Sequence, residues 1–148
     1  MTTLVIDTGQ DIVGIFSVED NKYVAYRGGN IPFAIQRIQS ADEVVTYNGT
    51  EGAQWSELVE LGKRAGVSGE LPLKGVHSDM RSICWSDRIW GSSLSKTYLK
   101  HFDSFPNFPD THEGSNECDV YMTLKLWELW KQGKLKILDG QEVAPSIP

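Results

Sequence analysis

The first third of the chain carries short apolar runs separated by turn-forming residues. The run Leu4–Ile6 ends at Asp7-Thr8-Gly9, which predicts a first strand followed by a turn. Alternation over Ile12–Val18 predicts a second strand, and Tyr23–Tyr26 a third, joined by a hairpin turn at Glu19–Lys22. The pattern therefore indicates that antiparallel strands open the fold.

Helical and strand-like patterns alternate along the rest of the chain. In chain order we expect a helix over Pro32–Ser40, a strand over Val44–Tyr47, a helix over Ser56–Ala65, a strand over Gly75–Met80, helices over Ser82–Trp90 and Leu94–Phe102, a loop over Asp103–Glu113 and a long helix over Asn116–Gln132. This order predicts an α/β domain over residues 1–135, with a mixed sheet flanked by helices. The tail, residues 136–148, contains two prolines and is expected to be partly ordered.

Composition narrows the classes of protein. The 148 residues carry a net charge of −6, which argues against a protein that coats nucleic acid with a broad basic face. A metal-dependent nuclease stays compatible with that charge, because its site is acidic before cations bind. No apolar run approaches the ~20 residues of a membrane span, and no basic segment precedes the first strand as in a signal peptide. With Cys84 and Cys118 expected as reduced thiols, a cytoplasmic location follows as an expectation.

Four segments, in order, resemble the DEDD family of 3′–5′ exonucleases within the ribonuclease H-like superfamily. They read LVID, then VVTYNG followed by a helix that contains Glu57, then VHSDM followed by a helix and GSSLSKTYLKHF, and finally NECDVYMTLKLWELW. The resemblance spans about Leu4 to Trp130. It implies a ribonuclease H-like fold and hydrolysis of 3′-terminal phosphodiesters in single-stranded DNA or RNA.

The same resemblance assigns roles to individual residues. Asp7 matches the family's first acid, which bridges two metal ions, and Asp119 matches the last acid, on the closing helix. Mg²⁺ or Mn²⁺ is the implied cofactor, because paired divalent cations activate a water and stabilise the leaving oxygen. Asn48, in the Asn-Gly pair, matches a position that contacts the nucleic acid.

Other family positions are not matched. Gly9 stands where the second acid of the first motif belongs, and Ala53 or Gln54 stands where the second motif has an Asp. Gly114 and Ser115 occupy the positions at which the family has a His or a Tyr that orients the attacking water. We therefore expect weak or absent nuclease activity.

Three nearby residues are candidates for the missing roles. Glu51 follows the Asn-Gly pair and Asp11 follows the first turn, so either could act as a substitute metal ligand. His112 is the candidate for orienting the water, although it lies two positions earlier than the family's His. A partner subunit that supplies acids is a further alternative, for which the sequence has no positive sign.

Simpler interpretations stand beside these. Asp7 before Thr8-Gly9 is typical of a turn former, and Asp119 of an acid that complements a helix dipole. The Asp-Thr-Gly hairpin also resembles resolvase-type and sugar-kinase-type relatives in the same superfamily. The alternative function is a non-catalytic module that binds nucleic acid or protein. Among the other polar residues, we expect Asp79 to be structural and His77 and His101 to be packing or surface residues.

Overall fold

The computed structural model describes residues 1–47, 53–67, 71–86, 93–136, 142–143 and 145. Its strands are β1 (Thr3–Gly9), β2 (Ile12–Ser17), β3 (Lys22–Tyr26), β4 (Glu43–Thr46), β5 (Val76–Asp79), β6 (Leu135–Lys136) and β7 (Glu142–Val143). Its helices are α1 (Ile31–Ser40), α2 (Ala53–Arg64), α3 (Met80–Ser86), α4 (Leu94–Leu99) and α5 (His112–Lys131), with a 3₁₀ turn at Gly28–Asn30 before α1.

The main sheet is mixed and five-stranded, in the order β3-β2-β1-β4-β5. The hairpins β1–β2 and β2–β3 are antiparallel, whereas β4 and β5 run parallel to β1. Helices lie against both faces, which confirms the expected α/β architecture. The carboxyl ends of β1, β4 and β5 meet at one edge of the sheet.

Each face of the sheet has its own hydrophobic core, because successive side chains of a strand point to opposite sides. Leu4 and Ile6 of β1 pack with α1 and α2. Val5, between them, packs with Val120 and Leu124 of α5 on the other face. β1 is therefore the central strand of both cores, and this determines where the residues after it are held.

The longest helix, α5, begins at His112, four residues before its predicted start at Asn116. Thr111 caps it by accepting a hydrogen bond from the backbone N–H of Gly114 at 2.9 Å. The first turn is mostly exposed, so it contributes no apolar residue to the periodic pattern from which the start was predicted. The predicted loop that ends at Glu113 is correspondingly too long.

The polar residues that were expected to have structural, packing or surface roles form hydrogen-bond contacts within the fold. Asp79 precedes α3 and accepts hydrogen bonds from the backbone N–H of Arg81 and the hydroxyl of Ser82, both at 3.2 Å. This cap explains why α3 begins earlier than predicted. His77 lies 2.8 Å from the Thr46 hydroxyl, and His101 accepts from the backbone N–H of Lys136 at 2.9 Å.

The tail contributes at least one pairing, since β6 and β7 are antiparallel neighbours. The predicted helical residues 87–90 and tail residues 137–141, 144 and 146–148 lie outside the described residues. Among the described helices, none is long and apolar enough to span a membrane.

Gly14 of β2 lies at a close approach between the sheet and α5. A Cβ at this position would lie 1.7 Å from Oδ1 of Asn116. Gly14→Ala is therefore expected to lower the free energy of unfolding by about 1–3 kcal/mol through overpacking. Urea denaturation measures this difference. Gly9→Ala is the control, because a Cβ on Gly9 has nothing within 4 Å; equal losses in both variants would contradict the prediction.

Candidate active site

Asp7 lies near the carboxyl end of β1, on the face that α5 covers. It follows Val5 by two positions, so its side chain leaves the strand on the same side as that core residue. The residue is 7% exposed and pairs with Gly14 across the hairpin. Asp7 is thus held by a strand that is buried on both faces.

Asn116 connects α5 to this strand end. Its Nδ2 donates to the backbone carbonyl of Asp7 at 3.1 Å and to Oδ2 of the Asp7 carboxylate at 3.4 Å. Asp119 follows three residues later on the same helix face. The sequence resemblance paired Asp7 with Asp119, and the structure brings these two residues together.

Burial and neighbouring negative charges act together on the Asp7 carboxyl. Its pKa is raised well above the usual value, first by burial and then by the negative charges of Asp119 and Glu57. A hydrogen bond from the Thr8 backbone acts in the opposite direction. Burial also raises the pKa of Asp119. The two carboxyls therefore retain protons more readily than exposed acids, a state that a bound cation would reverse.

Glu57 is the functional candidate to which sequence reasoning gave no role. It is the first acid of α2, and its Oε2 accepts a hydrogen bond from the Thr8 hydroxyl at 3.4 Å. Thr8 faces the opposite side of the sheet from Asp7, so Glu57 approaches the end of β1 from the other face. Its sequence position could have suggested this role, because it lies early in the helix after the Asn-Gly pair. The second motif of the resembled family places an acid in that segment.

A cleft of about 350 Å³ opens beside the two acids. Asp7 and Asp119 contribute to one part of its lining, and Arg81 of α3 contributes a positive charge. The other described residues that line it are Tyr47, Ser93, Leu94, Ser95 and Met122. Carboxylates, a guanidinium and hydroxyls in one cleft suit a ligand that carries both a cation and a phosphate.

Asp11 and His112, the two other sequence candidates that the structure describes, do not line this cleft. The side chain of Asp11 is 74% exposed, faces Arg64 at 3.5 Å and lines a different cleft between the hairpin and the end of α2. His112 is the exposed first residue of α5. Asn48 and Glu51 lie outside the described residues, as do the side chains of Ala53 and Gln54.

The resemblance leads one to expect other side chains at Gly9 on β1 and at Gly114 on α5, and these two positions differ in the space around them. Gly9 is two residues beyond Asp7 on the same face, with open space where a side chain would begin. Gly114 is tightly enclosed, because a Cβ there would meet the backbone carbonyl of Pro109 at 2.0 Å. A side chain could therefore be accommodated at Gly9 but not at Gly114.

Asp7 and Asp119 fit a cation that prefers oxygen ligands. In the described part of the chain, no group of three or more His, Cys, Asp or Glu side chains is close enough to hold a metal. Mg²⁺ characteristically uses one or two protein carboxylates and completes its shell with waters and substrate phosphates. The two acids beside a polar cleft match that pattern.

Comparison of the chain with protein-family models, with curated proteins and with solved structures gives no match.

The burial of Asp7 predicts how the stability of the protein depends on pH. Because its pKa is raised, Asp7 stays protonated in the folded protein at pH values at which it ionises in the unfolded chain. The free energy of unfolding therefore falls as the pH rises from the unfolded pKa through the folded pKa. Asp7→Asn is neutral at every pH and should unfold at a higher temperature than the wild type at pH 7 in EDTA. The gain should shrink towards pH 4, near the unfolded pKa.

Thermal unfolding followed by circular dichroism measures the effect across this range. Asp103→Asn is the matched control, because Asp103 is exposed in the loop after α4 and its replacement should change little. A gain for Asp7→Asn that is equal at both pH values would contradict burial of the charge as its cause.

Proposed function

We propose that this protein is a ribonuclease H-like domain of the DEDD exonuclease type that binds the 3′ end of single-stranded DNA or RNA and cleaves it weakly with Mg²⁺ or Mn²⁺. The observation that carries the proposal is the meeting of Asp7 and Asp119 beside one polar cleft. These acids come from the first strand and the last long helix, which only the folded sheet brings together.

The topology supports the superfamily assignment. An antiparallel hairpin series opens the chain, and two strands alternate with helices to extend the sheet parallel to β1. This is the order that the sequence resemblance implies for a ribonuclease H-like domain. Fold alone does not define an activity, so the functional argument rests on the cleft.

The acids and the basic residue of the cleft would have different roles in binding a phosphodiester. Asp7 and Asp119 would hold the cation, and Glu57 would add negative charge from the other face of the sheet. A divalent cation at such a site lowers the pKa of bound water and stabilises charge on the leaving oxygen. Arg81, with its guanidinium, would bind a phosphate, and the Ser93 and Ser95 hydroxyls would contact polar groups of the terminal nucleotide.

Because the net charge of the protein is −6, we expect nucleic acid to contact only the surface around the cleft. We infer a short binding site for a strand end, because long tracts of nucleic acid need many phosphate contacts. We propose a cytoplasmic location, where the thiols of Cys84 and Cys118 would stay reduced.

Gly9 favours a second candidate, a non-catalytic module that binds a strand end. The family's first motif has an acid there, and this chain leaves the space open. One cation ligand fewer weakens the chemistry more than it weakens recognition by Arg81 and the hydroxyls. Cleavage and binding must therefore be measured separately.

Degradation of a 5′-labelled single strand with Mn²⁺ tests the proposal. Wild-type protein should shorten the strand from its 3′ end, EDTA should stop the reaction, and Asp7→Asn should reduce the rate by at least about 100-fold, as expected for loss of a group that acts on the reacting phosphate. Asp103→Asn, which removes an exposed acid outside the cleft, should match the wild type. Equal cleavage by wild type and Asp7→Asn would exclude a catalytic role for Asp7, while binding without cleavage would favour the second candidate.

Gly9→Glu should strengthen the cation site. The new side chain would leave β1 on the same face as Asp7, into space that is open in the structure. We expect the Mn²⁺ affinity to rise on the order of tenfold, in the range by which groups around a metal alter its affinity. Isothermal titration calorimetry measures the dissociation constant. Gly9→Gln is the control of equal length without charge, and an equal gain from Gln would show that the effect is not ligation.

A further inference from the structure

Asn116 is a buried polar side chain beside the candidate site. It is 4% exposed, and its amide group lies between the end of β1 and the ring of Tyr23 on β3. Its Oδ1 is 2.7 Å from the Tyr23 hydroxyl, and its Nδ2 faces both the carbonyl and the carboxylate of Asp7. The amide therefore has partners on both sides.

The orientation of this amide follows from the chemistry of its partners. The Asp7 carbonyl oxygen can only accept a hydrogen bond, so the NH₂ group of Asn116 must face it. The amide oxygen is then directed at Tyr23, whose hydroxyl must donate. The donors thus run in one direction, from Tyr23 to Asn116 to Asp7.

The backbone opposite is shaped to accept this amide. Oδ1 of Asn116 occupies the space where a Cβ on residue 14 would lie, and the Tyr23 ring is 3.0 Å from the same point. Gly14 is also the cross-strand partner of Asp7. Strand, hairpin and helix therefore leave the amide a single position.

We propose that Asn116 and Tyr23 are positioning residues that set the rotation of the Asp7 carboxylate for cation binding. The inference rests on the proposed function, since it concerns the same site. Asn116 reaches Oδ2 through a hydrogen bond, and Tyr23 fixes the amide from behind without touching Asp7 itself. Groups that orient a ligand in this way typically change metal affinity by about 10–100-fold when removed.

A structural role alone would predict something different. If the Tyr23 hydroxyl served only to hold β3 against α5, its loss would reduce stability and leave the affinity for a cation unchanged. If it orients Asp7 through Asn116, the affinity falls even in a variant that stays folded. Tyr23→Phe separates these roles, because it removes one oxygen and keeps the ring that packs against α5.

The control for this variant lies on the same strand. Tyr26 also has a hydroxyl in a side-chain hydrogen bond, which accepts from Arg37 at 2.7 Å. Its ring packs against the core on the α1 and α2 face, away from Asp7. Tyr26→Phe therefore removes a comparable bond from β3 without touching the Tyr23–Asn116–Asp7 series.

The test is a Mn²⁺ titration of wild type, Tyr23→Phe and Tyr26→Phe, with free Mn²⁺ measured by electron paramagnetic resonance and folding checked by thermal unfolding. We expect the dissociation constant of Tyr23→Phe to rise about tenfold and that of Tyr26→Phe to equal the wild type. In the cleavage assay, Tyr23→Phe should lower kcat and leave KM for the nucleic acid unchanged at saturating Mn²⁺.

The outcomes distinguish this inference from the proposed function. Equal Mn²⁺ affinity in the wild type and Tyr23→Phe would overturn the positioning role and leave the cation site intact. An equal loss in both Phe variants would also overturn it, because the effect would then come from weakening β3 in general. A wild-type protein that binds no Mn²⁺ would overturn the cation site itself, and the positioning role with it.

Discussion

The hydrogen bonds between the Asn116 amide and Asp7 join the two halves of this fold. β1 belongs to the antiparallel opening of the sheet, and α5 closes the domain near the end of the described chain. The helix can approach so closely because residue 14 has no side chain. Once this contact is made, the helical repeat alone places Asp119 one turn further along and beside Asp7. The candidate site is therefore a consequence of one packing constraint.

This arrangement carries an electrostatic penalty that the rest of the fold must offset. Asp7 and Asp119 are like-charged when ionised, and both have pKa values raised by burial. The packing of α5 on the sheet also holds β1 in place, since Val5 of β1 and Val120 of α5 belong to the same hydrophobic core. The same packing therefore supports β1 and raises the pKa values of the two acids. A bound cation would offset this penalty, because it would stabilise both ionised carboxylates at once.

The parts of this structure that were predictable from sequence are those with local signals. The strands β1 to β4 follow from apolar runs and turn residues. The end of β1 was predicted too early, because Asp7-Thr8-Gly9 has the composition of a turn but pairs with β2 in the structure. The start of α5 was missed because its capped first turn is polar. Asn116 and Glu57 were not recognised because their roles depend on partners far away in the chain, and no periodicity marks such contacts. Asp7 and Asp119 were paired through family resemblance, which encodes long-range information that propensity lacks.

The open space at Gly9 and the filled space at residue 14 lead to opposite conclusions about what this site does. Gly9 has open space where the proposed function would call for a carboxylate, so a two-metal mechanism would lack one of its ligands there. At Gly14 there is no side chain, and this leaves the space through which the Asn116 amide reaches Asp7. A merely degenerate site has no physical reason to hold its remaining acid so tightly, because an unoriented carboxylate would be less buried and less destabilising. The combination supports the proposal of a site that binds one cation and is poor at chemistry that needs two.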